Sequence, residues 1–219
     1  MKNKLHEVHN LRLNYEAGKL GRQSVRQNPF EQFEHWFEAV MSAGFAEPNA
    51  MFLATATPDG KPSVRTVLLK GFSHKGFTFF TNYHSRKGHE IAANPHAALL
   101  FYWDKLQQQV RIEGSIEKVP DIESDAYFDS RPEGSRIGAL ASPQSSVIAS
   151  RKELDDKVAQ LMEEVAATPH TLKRPEHWGG YLLQPSAFEF WQGRSNRLHD
   201  RIRYTLQPSG NWLIERLAP

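Results

Sequence analysis

The fold is decided by residues 51–82, which read MFLATATPDGKPSVRTVLLKGFSHKGFTFFTN. Three runs in this stretch, 51–57, 63–70 and 77–82, are rich in β-branched and aromatic residues and are separated by the turn sequences 58–60 and 73–76. Because tight turns rather than crossover helices join these runs, neighbouring strands should pair antiparallel. The stretch therefore predicts a meander of β-hairpins.

Upstream of this meander the sequence predicts a helix that begins at a defined cap. Asn28 is suited to the N-cap and Pro29 to the first helical position, and apolar residues then recur at helical spacing as far as Gly44. Residues 4–16 have a looser helical pattern, and the basic residues 18–27 show no periodicity, so we expect the latter to be mobile without a ligand. We assign residues 1–27 to an N-terminal helix and mobile basic segment, and residues 28–219 to a single domain.

Downstream of the meander, helical and extended patterns alternate. Ser85 caps a predicted short helix that stops at Asn94, and Ser150 with Glu153 forms a capping-box pattern for a longer helix to about residue 166. The other predicted elements are strands 97–103, 107–119 (with a bulge at Gly114) and 181–192, helices 121–128 and 133–141, and a hairpin around 208–211. Antiparallel strands with helices inserted among them predict an α+β fold, mainly β, in which helices surround an antiparallel barrel.

The composition excludes several classes of protein. The 219 residues include no cysteine, which rules out disulfides and thiolate chemistry and fits a reducing compartment. The start of the chain lacks the apolar region of a signal peptide, and the longest apolar run, 97–103, is far too short to span a membrane. A net charge of +2 does not indicate nucleic acid. The ten histidines show no metal-ligand spacing. We expect a cytoplasmic protein without a metal.

Two cationic motifs lie in the first half of the chain. In the run Arg65 to Lys70, alternation places Arg65 and Lys70 on opposite faces of a strand, so both can serve one site only if the strand twists or bulges before Gly71. Ser85, Arg86 and Lys87 open a predicted helix, whose free N–H groups favour a phosphate. Taken singly, each motif has a more ordinary explanation. Cations that flank an apolar strand are usually edge or surface residues, and residues 85–87 are typical of a Ser cap followed by two solvent-facing bases.

Further polar motifs follow in the second half. Tyr127 and Arg131 share a helix face if the helix continues through both, and Ser135 follows the break at Pro132. The polar loop 142–146 contains Gln144 and three serines, among them Ser145. Near the C-terminus Arg197, His199 and Arg201 are spaced two apart, so in an extended strand all three would point to one side. Such a row suits an anion or developing negative charge, although a solvated strand face has the same pattern.

These motifs occur together in an order that resembles the pyridoxine (pyridoxamine) 5′-phosphate oxidases. The resemblance extends from about residue 10 to the C-terminus, and its most specific part is Phe188-Glu-Phe-Trp-Gln, four further residues, and Arg-Leu-His-Asp-Arg201. It implies an FMN-binding split barrel that acts as a homodimer with the flavin at the subunit interface. The residues implied to bind FMN are Arg65, Thr66, Val67, Leu68, Leu69, Lys70, Phe80, Thr81, Arg86, Lys87, Gln109, Gln144, Ser145, Trp191 and Arg201. Phe80 is a departure, because relatives often have tyrosine there.

The resemblance also implies the substrate and the reaction. The residues implied to bind the vitamin B6 phosphate substrate are Lys70, Tyr127, Arg131, Ser135, Arg197, Leu198 and His199, with Arg197 and His199 catalytic and lying against the pyridine ring. The implied reaction is oxidation of pyridoxamine or pyridoxine 5′-phosphate to pyridoxal 5′-phosphate, with O₂ as acceptor. Two alternatives remain: a related split-barrel flavin oxidase with another substrate, such as a phenazine precursor, and an FMN- or pyridoxal-phosphate-binding protein without turnover.

Overall fold

A computed structural model describes residues 15–168 and 172–219, in which helices and strands alternate much as the sequence predicts. The helices are α1 (Pro29–Ser42), α2 (Arg86–Ala93), α3 (Asp121–Ser130), α4 (Glu133–Ala141) and α5 (Arg151–Ala167). The strands are β1 (Ala50–Ala56), β2 (Pro62–Leu68), β3 (Gly71–Ser73), β4 (Gly76–Asn82), β5 (His96–Trp103), β6 (Gln108–Lys118), β7 (Trp178–Gln192), β8 (Asp200–Leu206) and β9 (Trp212–Leu217). Of the helix predicted over residues 4–16, the part up to residue 14 lies outside the described residues.

The strands form a nine-stranded sheet in the order β2-β1-β5-β6-β7-β4-β3, with β8 paired to β7 and β9 paired to β8. The hairpin partners β1 and β2 are antiparallel, with Ala50 opposite Leu68 and Ala56 opposite Pro62. Strands β3 and β4, β4 and β7, β7 and β8, and β8 and β9 also pair antiparallel. The predicted class, an antiparallel α+β fold, is confirmed.

Three helices begin at the residues that the sequence predicts as caps. The side chain of Asn28 accepts a hydrogen bond from the backbone N of Phe30 at 2.9 Å. The hydroxyl of Ser85 accepts from Gly88 N, and that of Ser150 from Glu153 N, each at 3.3 Å. These side chains satisfy backbone donors that the first helical turn leaves without an intrahelical partner.

The described chain divides into two compact units, each with its own buried apolar side chains. The first unit comprises residues 15–48, 100–112 and 187–219. In it the α1 residue Phe33 lies edge-on to Phe101 at 5.1 Å between ring centroids, and Trp36 lies edge-on to Phe190 at 5.3 Å. The aromatic stripe of α1 is therefore core, as its helical spacing predicts.

The second unit comprises residues 49–99 and the described part of 113–186. Its fully buried side chains include Met51, Leu53, Phe79 and Leu183. Gly114 lies inside the continuous strand β6, where an added Cβ would come within 2.0 Å of the carbonyl oxygen of Gln184. Close approach of two backbones explains this glycine.

Residues 18–27 contain no helix or strand, in agreement with their lack of periodicity. Leu20 and Val25 of this segment are buried. The backbone N of Leu20 donates to the Asp200 carboxylate at 3.0 Å, and the Tyr204 hydroxyl donates to the Arg26 carbonyl at 2.7 Å. Mobility of the segment in the absence of substrate stays a prediction.

Candidate functional site

A cavity of about 510 Å³ lies within the second unit, and twelve of the predicted site residues line it. Those residues are Arg65, Thr66, Val67, Leu68, Lys70, Phe80, Thr81, Lys87, Tyr127, Arg131, Ser135 and Gln144. They come from β2, β4, α2, α3, α4 and the segments between these elements. Pro132 and Trp178 complete the wall. The weak motifs of the sequence thus converge on one cationic cavity.

The end of strand β2 resolves the question of how Arg65 and Lys70 serve one site. The strand ends at Leu68, so strict alternation no longer applies to the residues that follow it. The backbone N of Lys70 donates to the carbonyl oxygen of Thr78 on β4 at 2.9 Å, and its side chain lines the same cavity as Arg65. Leu69, which is also predicted to bind the flavin, is a buried core residue and does not line this cavity.

Lys87 is a buried cation whose contacts are all neutral. Its Nζ donates to Thr81 Oγ1 at 2.9 Å, to Ser85 Oγ at 3.2 Å and to Gln144 Oε1 at 2.7 Å. Among the described residues no carboxylate forms an ion pair with it. Burial, together with the nearby charge of Arg65, lowers the pKa of Lys87 to about 8. The interpretation of Lys87 as a solvent-facing base is wrong, because it points into the protein from the first turn of α2.

Glu90, one helical turn beyond Arg86, is a carboxylate that the sequence analysis missed. Its side chain is 5% exposed and bonds both Arg65 and Arg86. Burial raises its pKa, but hydrogen bonds from Ser63, Thr55 and the two arginines outweigh that effect and hold the pKa at about 2. The carboxylate is therefore ionised throughout the physiological range.

The third predicted cluster is brought together by the break between α3 and α4. Tyr127 lies in α3, whereas Arg131 is the extended residue that ends it, so the two do not share a helix face as predicted. The Tyr127 ring stacks on Phe80 at 3.9 Å between centroids. The Arg131 guanidinium lies 4.6 Å above the Trp178 ring. Ser135 lies in the first turn of α4 and is exposed.

Arg131 has a buried hydrogen-bond donor that a ligand could satisfy. Its Nη1 is buried and has no hydrogen-bond partner among the described residues. Burial lowers its pKa, although the charge of Tyr127 opposes this effect. An unpaired guanidinium donor at the wall of a cavity is costly unless a ligand satisfies it. Trp178 supports this group, and the sequence analysis missed it because a tryptophan at the start of a strand is typical of core.

The loop between α4 and α5 contributes Gln144 to the cavity, and its neighbour Ser145 lies beside it in the chain. The Gln144 amide oxygen accepts from Lys87 Nζ and, at 3.1 Å, from Thr81 Oγ1. Ser145 is exposed and has a left-handed backbone with φ of 71°. It does not line the cavity, and neither does Arg86, whose side chain is 64% exposed.

The remaining predicted residues, Gln109, Trp191, Arg197, Leu198, His199 and Arg201, lie in the first unit. The prediction that Arg197, His199 and Arg201 form one strand face is wrong. Arg197 ends a short 3₁₀ turn, in which Asn196 and Arg197 have φ of 56° and 61°, and β8 begins only at Asp200. Two left-handed residues in succession break the alternation that the spacing assumes. Of the three, only Arg201 lies in a strand.

His199 lies in an aromatic setting. Its ring is 4.7 Å from that of Trp191 and 5.6 Å from that of Tyr15. The backbone N of Arg194 donates to its Nδ1 at 3.1 Å, which leaves the ring proton on Nε2 in the neutral form. Burial, and then the charge of Arg197, lowers its pKa. Both effects favour the neutral imidazole.

Arg201 is held by a buried carboxylate, as Arg65 is. Its Nε donates to Glu189 Oε1 at 2.8 Å and its Nη1 to the carbonyl oxygen of Ala218 at 2.9 Å. Arg111 Nη1 lies 3.6 Å from the other oxygen of Glu189. Gln109 is half-buried in β6, and Leu198 is exposed.

Two further kinds of feature, clusters of metal-ligating side chains and long apolar helices, can be assessed for the described residues. Residues 15–168 and 172–219 contain no group of three or more His, Asp or Glu side chains placed to hold a metal. In the same part of the chain, no helix has both the length and the apolar character needed to cross a bilayer.

Comparison with known proteins identifies the family. A family model described as pyridoxamine 5′-phosphate oxidase matches residues 37–163, and one described as the pyridoxine 5′-phosphate oxidase C-terminal dimerisation region matches residues 178–219. The chain belongs to the pyridoxamine 5′-phosphate oxidase family. The cationic cavity of the second unit lies almost entirely within the first matched region.

Two curated members of the pyridoxamine 5′-phosphate oxidase family are similar over nearly their whole length. The pyridoxine/pyridoxamine 5′-phosphate oxidase of Cupriavidus necator is 53% identical, covering 97% of this chain and 99% of that protein. The one of Paraburkholderia phymatum is 54% identical, covering 95% and 97%. Among solved structures, PhzG of Burkholderia lata in complex with tetrahydrophenazine-1-carboxylic acid has a TM-score of 0.84 and 32% identity, covering 92% of this chain and 98% of that one.

Proposed function

We propose that this protein is an FMN-dependent oxidase that converts pyridoxamine or pyridoxine 5′-phosphate to pyridoxal 5′-phosphate. O₂ is the electron acceptor, H₂O₂ is released, and the amine substrate also gives NH₃. The observation that carries the proposal is the cavity of the second unit, whose wall includes Arg65, Lys70, Lys87 and Arg131 but no carboxylate of the described residues. The family and its near full-length relatives support the same activity. A cytoplasmic location stays part of the proposal.

The residues around Lys87 fit the phosphate of FMN. Lys87 brings a buried charge that no carboxylate of residues 15–168 and 172–219 neutralises, and Arg65 and Arg86 lie on either side of Glu90. A phosphate dianion would supply the missing counter-charge in a partly desolvated setting. FMN supplies a hydride acceptor that O₂ can reoxidise. The protein's part is to bind the cofactor and place the substrate against it.

A second group at the same cavity suits the phosphate of the substrate. Lys70, Tyr127, Arg131 and Ser135 offer two cations and two hydroxyls, and the unpaired Nη1 of Arg131 has no other described partner. Binding through these groups holds the substrate by its phosphate and leaves the pyridine ring free to lie along the flavin. Fixing one end of the substrate in this way lowers the entropic cost of aligning the reacting carbon.

Arg197 and His199 are proposed to contact the pyridine ring, with Leu198 beside them. A neutral His199 can donate a hydrogen bond from Nε2, and Arg197 is always charged. At this position Arg197 would provide a fixed cation that stabilises the negative charge which a bound flavin gains on reduction. Trp191, Arg201 and Gln109 are proposed to complete the flavin site.

We propose a homodimer with FMN at the subunit interface. The matched C-terminal dimerisation region, residues 178–219, includes Trp191, Arg197, His199 and Arg201. Dimerisation through this region would bring these side chains to a flavin that both subunits bind. A structure of the protein with bound FMN would test this arrangement, because it would show which subunit supplies each contact to the flavin.

The similarity to PhzG favours one alternative, a related flavin oxidase that acts on a phenazine precursor. The phosphate-binding set at the cavity argues against it, because a substrate without phosphate leaves the unpaired Arg131 donor and Lys70 unsatisfied. A protein that binds FMN or pyridoxal phosphate without turnover is the other alternative. It would have no use for a cation and a neutral histidine beside the ring.

Anaerobic reduction tests the proposal. The purified protein is expected to be yellow, and addition of pyridoxamine 5′-phosphate without O₂ should bleach the flavin absorbance. Unphosphorylated pyridoxamine is the matched control and should bleach it far more slowly, since it lacks the group that Arg131 binds. Admission of air should restore the colour and yield H₂O₂. Flavin that stays oxidised with both B6 phosphates would refute the activity, and bleaching by a phenazine precursor alone would favour the alternative.

A further inference from the structure

Glu90 is a buried carboxylate that contacts two of the arginines predicted to bind the flavin, Arg65 and Arg86. It projects from α2, and its Oε1 accepts from Arg86 Nε at 2.8 Å. Its Oε2 accepts from the hydroxyls of Thr55 and Ser63, each at 2.5 Å, and from Arg65 Nη2 at 3.2 Å. Four donors therefore converge on a single side chain.

The Arg65 guanidinium is fixed at both of its terminal nitrogens. Nη1 donates to the carbonyl oxygen of Leu53 at 3.1 Å and to Thr55 Oγ1 at 2.5 Å. Nη2 donates to Ser63 Oγ as well as to Glu90. Thr55 and Ser63 face each other in the register of β1 and β2, so the hairpin itself supplies the hydroxyls. The orientation of Arg65 is set by this network before any ligand arrives.

Arg86 is held in a different way. Only its Nε is bonded within the described residues, and its side chain is largely exposed. An arginine bound at Nε keeps both Nη groups available, and an oxyanion can bind them in the fork geometry that guanidinium prefers. Without the carboxylate, an exposed arginine at the start of a helix would sample many rotamers.

We propose that Glu90 is a positioning residue for the flavin phosphate, acting through Arg86 and Arg65. The inference rests on the proposed function, because it assumes that these arginines bind FMN. The carboxylate fixes the two guanidiniums and offsets their mutual repulsion. Glu90 could instead have a purely structural role, here called a staple, in which it only links α2 to the β1–β2 hairpin. A staple would stabilise the fold without affecting the binding of phosphate.

A double-mutant cycle on the full-length protein separates these roles. The variants are Glu90→Gln, Arg86→Ala and their combination, and the measurement is the Kd of the apoenzyme for FMN, followed by quenching of flavin fluorescence. The amide of Gln can accept from only one of the two arginines, so we expect Glu90→Gln to weaken FMN binding about fivefold. Arg86→Ala should weaken it about tenfold or more. In the combined variant the second change should add less than about threefold, because the two residues act as one unit.

Riboflavin and a neighbouring substitution serve as controls. Riboflavin lacks the phosphate, so its Kd should differ by less than about twofold among the four proteins if the effect passes through the phosphate-binding arginines. His89→Ala, at the exposed position next to Glu90, should leave both Kd values unchanged.

The outcomes distinguish a positioning role of Glu90 from a purely structural one. Multiplicative losses in the cycle, or equal losses for FMN and riboflavin, would mean that Glu90 is only a staple. Tighter FMN binding in Glu90→Gln would mean that the carboxylate competes with the phosphate, and this too overturns the inference. If the wild-type apoenzyme does not bind FMN, the proposed function fails instead. If the wild type binds FMN and turns over substrate but the effects of the two substitutions are additive, the inference about Glu90 is rejected while the proposed function stands.

Discussion

Lys87 should make the binding of FMN depend on pH in a window that no exposed lysine would produce. In the apoenzyme burial lowers its pKa from 10.5 to about 8, and its three contacts are neutral. A bound phosphate dianion stabilises the charged form, so the pKa of Lys87 rises on binding and FMN uptake is accompanied by proton uptake above that value. The affinity for FMN should therefore fall as the pH rises through about 8.

The size of the effect follows from the fraction of apoenzyme in which Lys87 is charged. With a pKa of about 8, that fraction falls from about 0.76 at about pH 7.5 to about 0.09 at about pH 9. If the phosphate binds only the charged form, the Kd rises about eightfold over this interval. The assay is a titration of apoenzyme with FMN, followed by quenching of flavin fluorescence, at several pH values.

Two variants make the assay specific to Lys87. Lys87→Arg keeps a charge that does not titrate in this interval, so its Kd should stay constant with pH. Lys87→Gln should bind weakly at every pH. A wild-type Kd that does not change over the interval, or that changes in parallel with that of Lys87→Arg, would refute the reasoning.

The lowered pKa of Lys87 also determines how the free energy of unfolding of the apoenzyme changes with pH. Because the unfolded chain keeps Lys87 protonated up to its ordinary pKa of 10.5 while the folded apoenzyme loses the proton near 8, the unfolded state binds more protons in between. The free energy of unfolding of the apoenzyme should therefore contain a term that rises with pH over this window, by no more than about 3 kcal/mol. Denaturant unfolding of wild type and Lys87→Gln, compared across the window, isolates that term.

Other substitutions separate binding from turnover and test the packing of α2. Arg197→Ala should lower kcat by about a hundredfold while FMN is retained, whereas Arg86→Ala should release FMN and leave kcat at saturating FMN nearly intact; equal loss of flavin in both variants contradicts this division. Gly88→Ala places a Cβ 2.0 Å from the carbonyl oxygen of Tyr83 and should lower the free energy of unfolding by about 1–3 kcal/mol, seen as a lower Tm. Trp178→Leu removes the ring beneath the Arg131 guanidinium, which we propose binds the substrate phosphate, and should raise KM for pyridoxamine 5′-phosphate about fivefold more than for unphosphorylated pyridoxamine.

The local signals in the sequence predict most of the fold because they act over a few residues. Caps at Asn28, Ser85 and Ser150 begin helices where expected, since each satisfies a donor two or three residues away. The hairpin around 208–211 forms with Gly210 in a left-handed conformation. Strand β3 was not predicted, because three residues give too little periodicity to detect.

The site was harder to predict because its chemistry depends on direction and burial. The spacing of Arg197 and His199 suggests a strand face, but two left-handed residues override it, and non-glycine residues adopt that conformation too rarely to be expected from sequence. Nothing in the sequence singles out Glu90, because a glutamate in a short polar helix is typical of a solvated face; the structure places it in contact with Arg65 and Arg86. The order of the motifs identifies the family although each motif alone is indecisive, since the order relates residues that are distant in sequence.

The charge of the cavity bears on how many phosphorylated ligands it serves. Arg65, Lys70, Lys87 and Arg131 line it without a carboxylate of the described residues, and the charges of Arg86 and Glu90 cancel beside it. The resulting charge of about +4 is matched by two phosphate monoesters, which carry about −1.5 to −2 each. One phosphate would leave about two positive charges without compensation in a partly buried site, which is unfavourable. A flavin phosphate and a substrate phosphate together satisfy this balance, whereas a flavin and an unphosphorylated phenazine precursor do not.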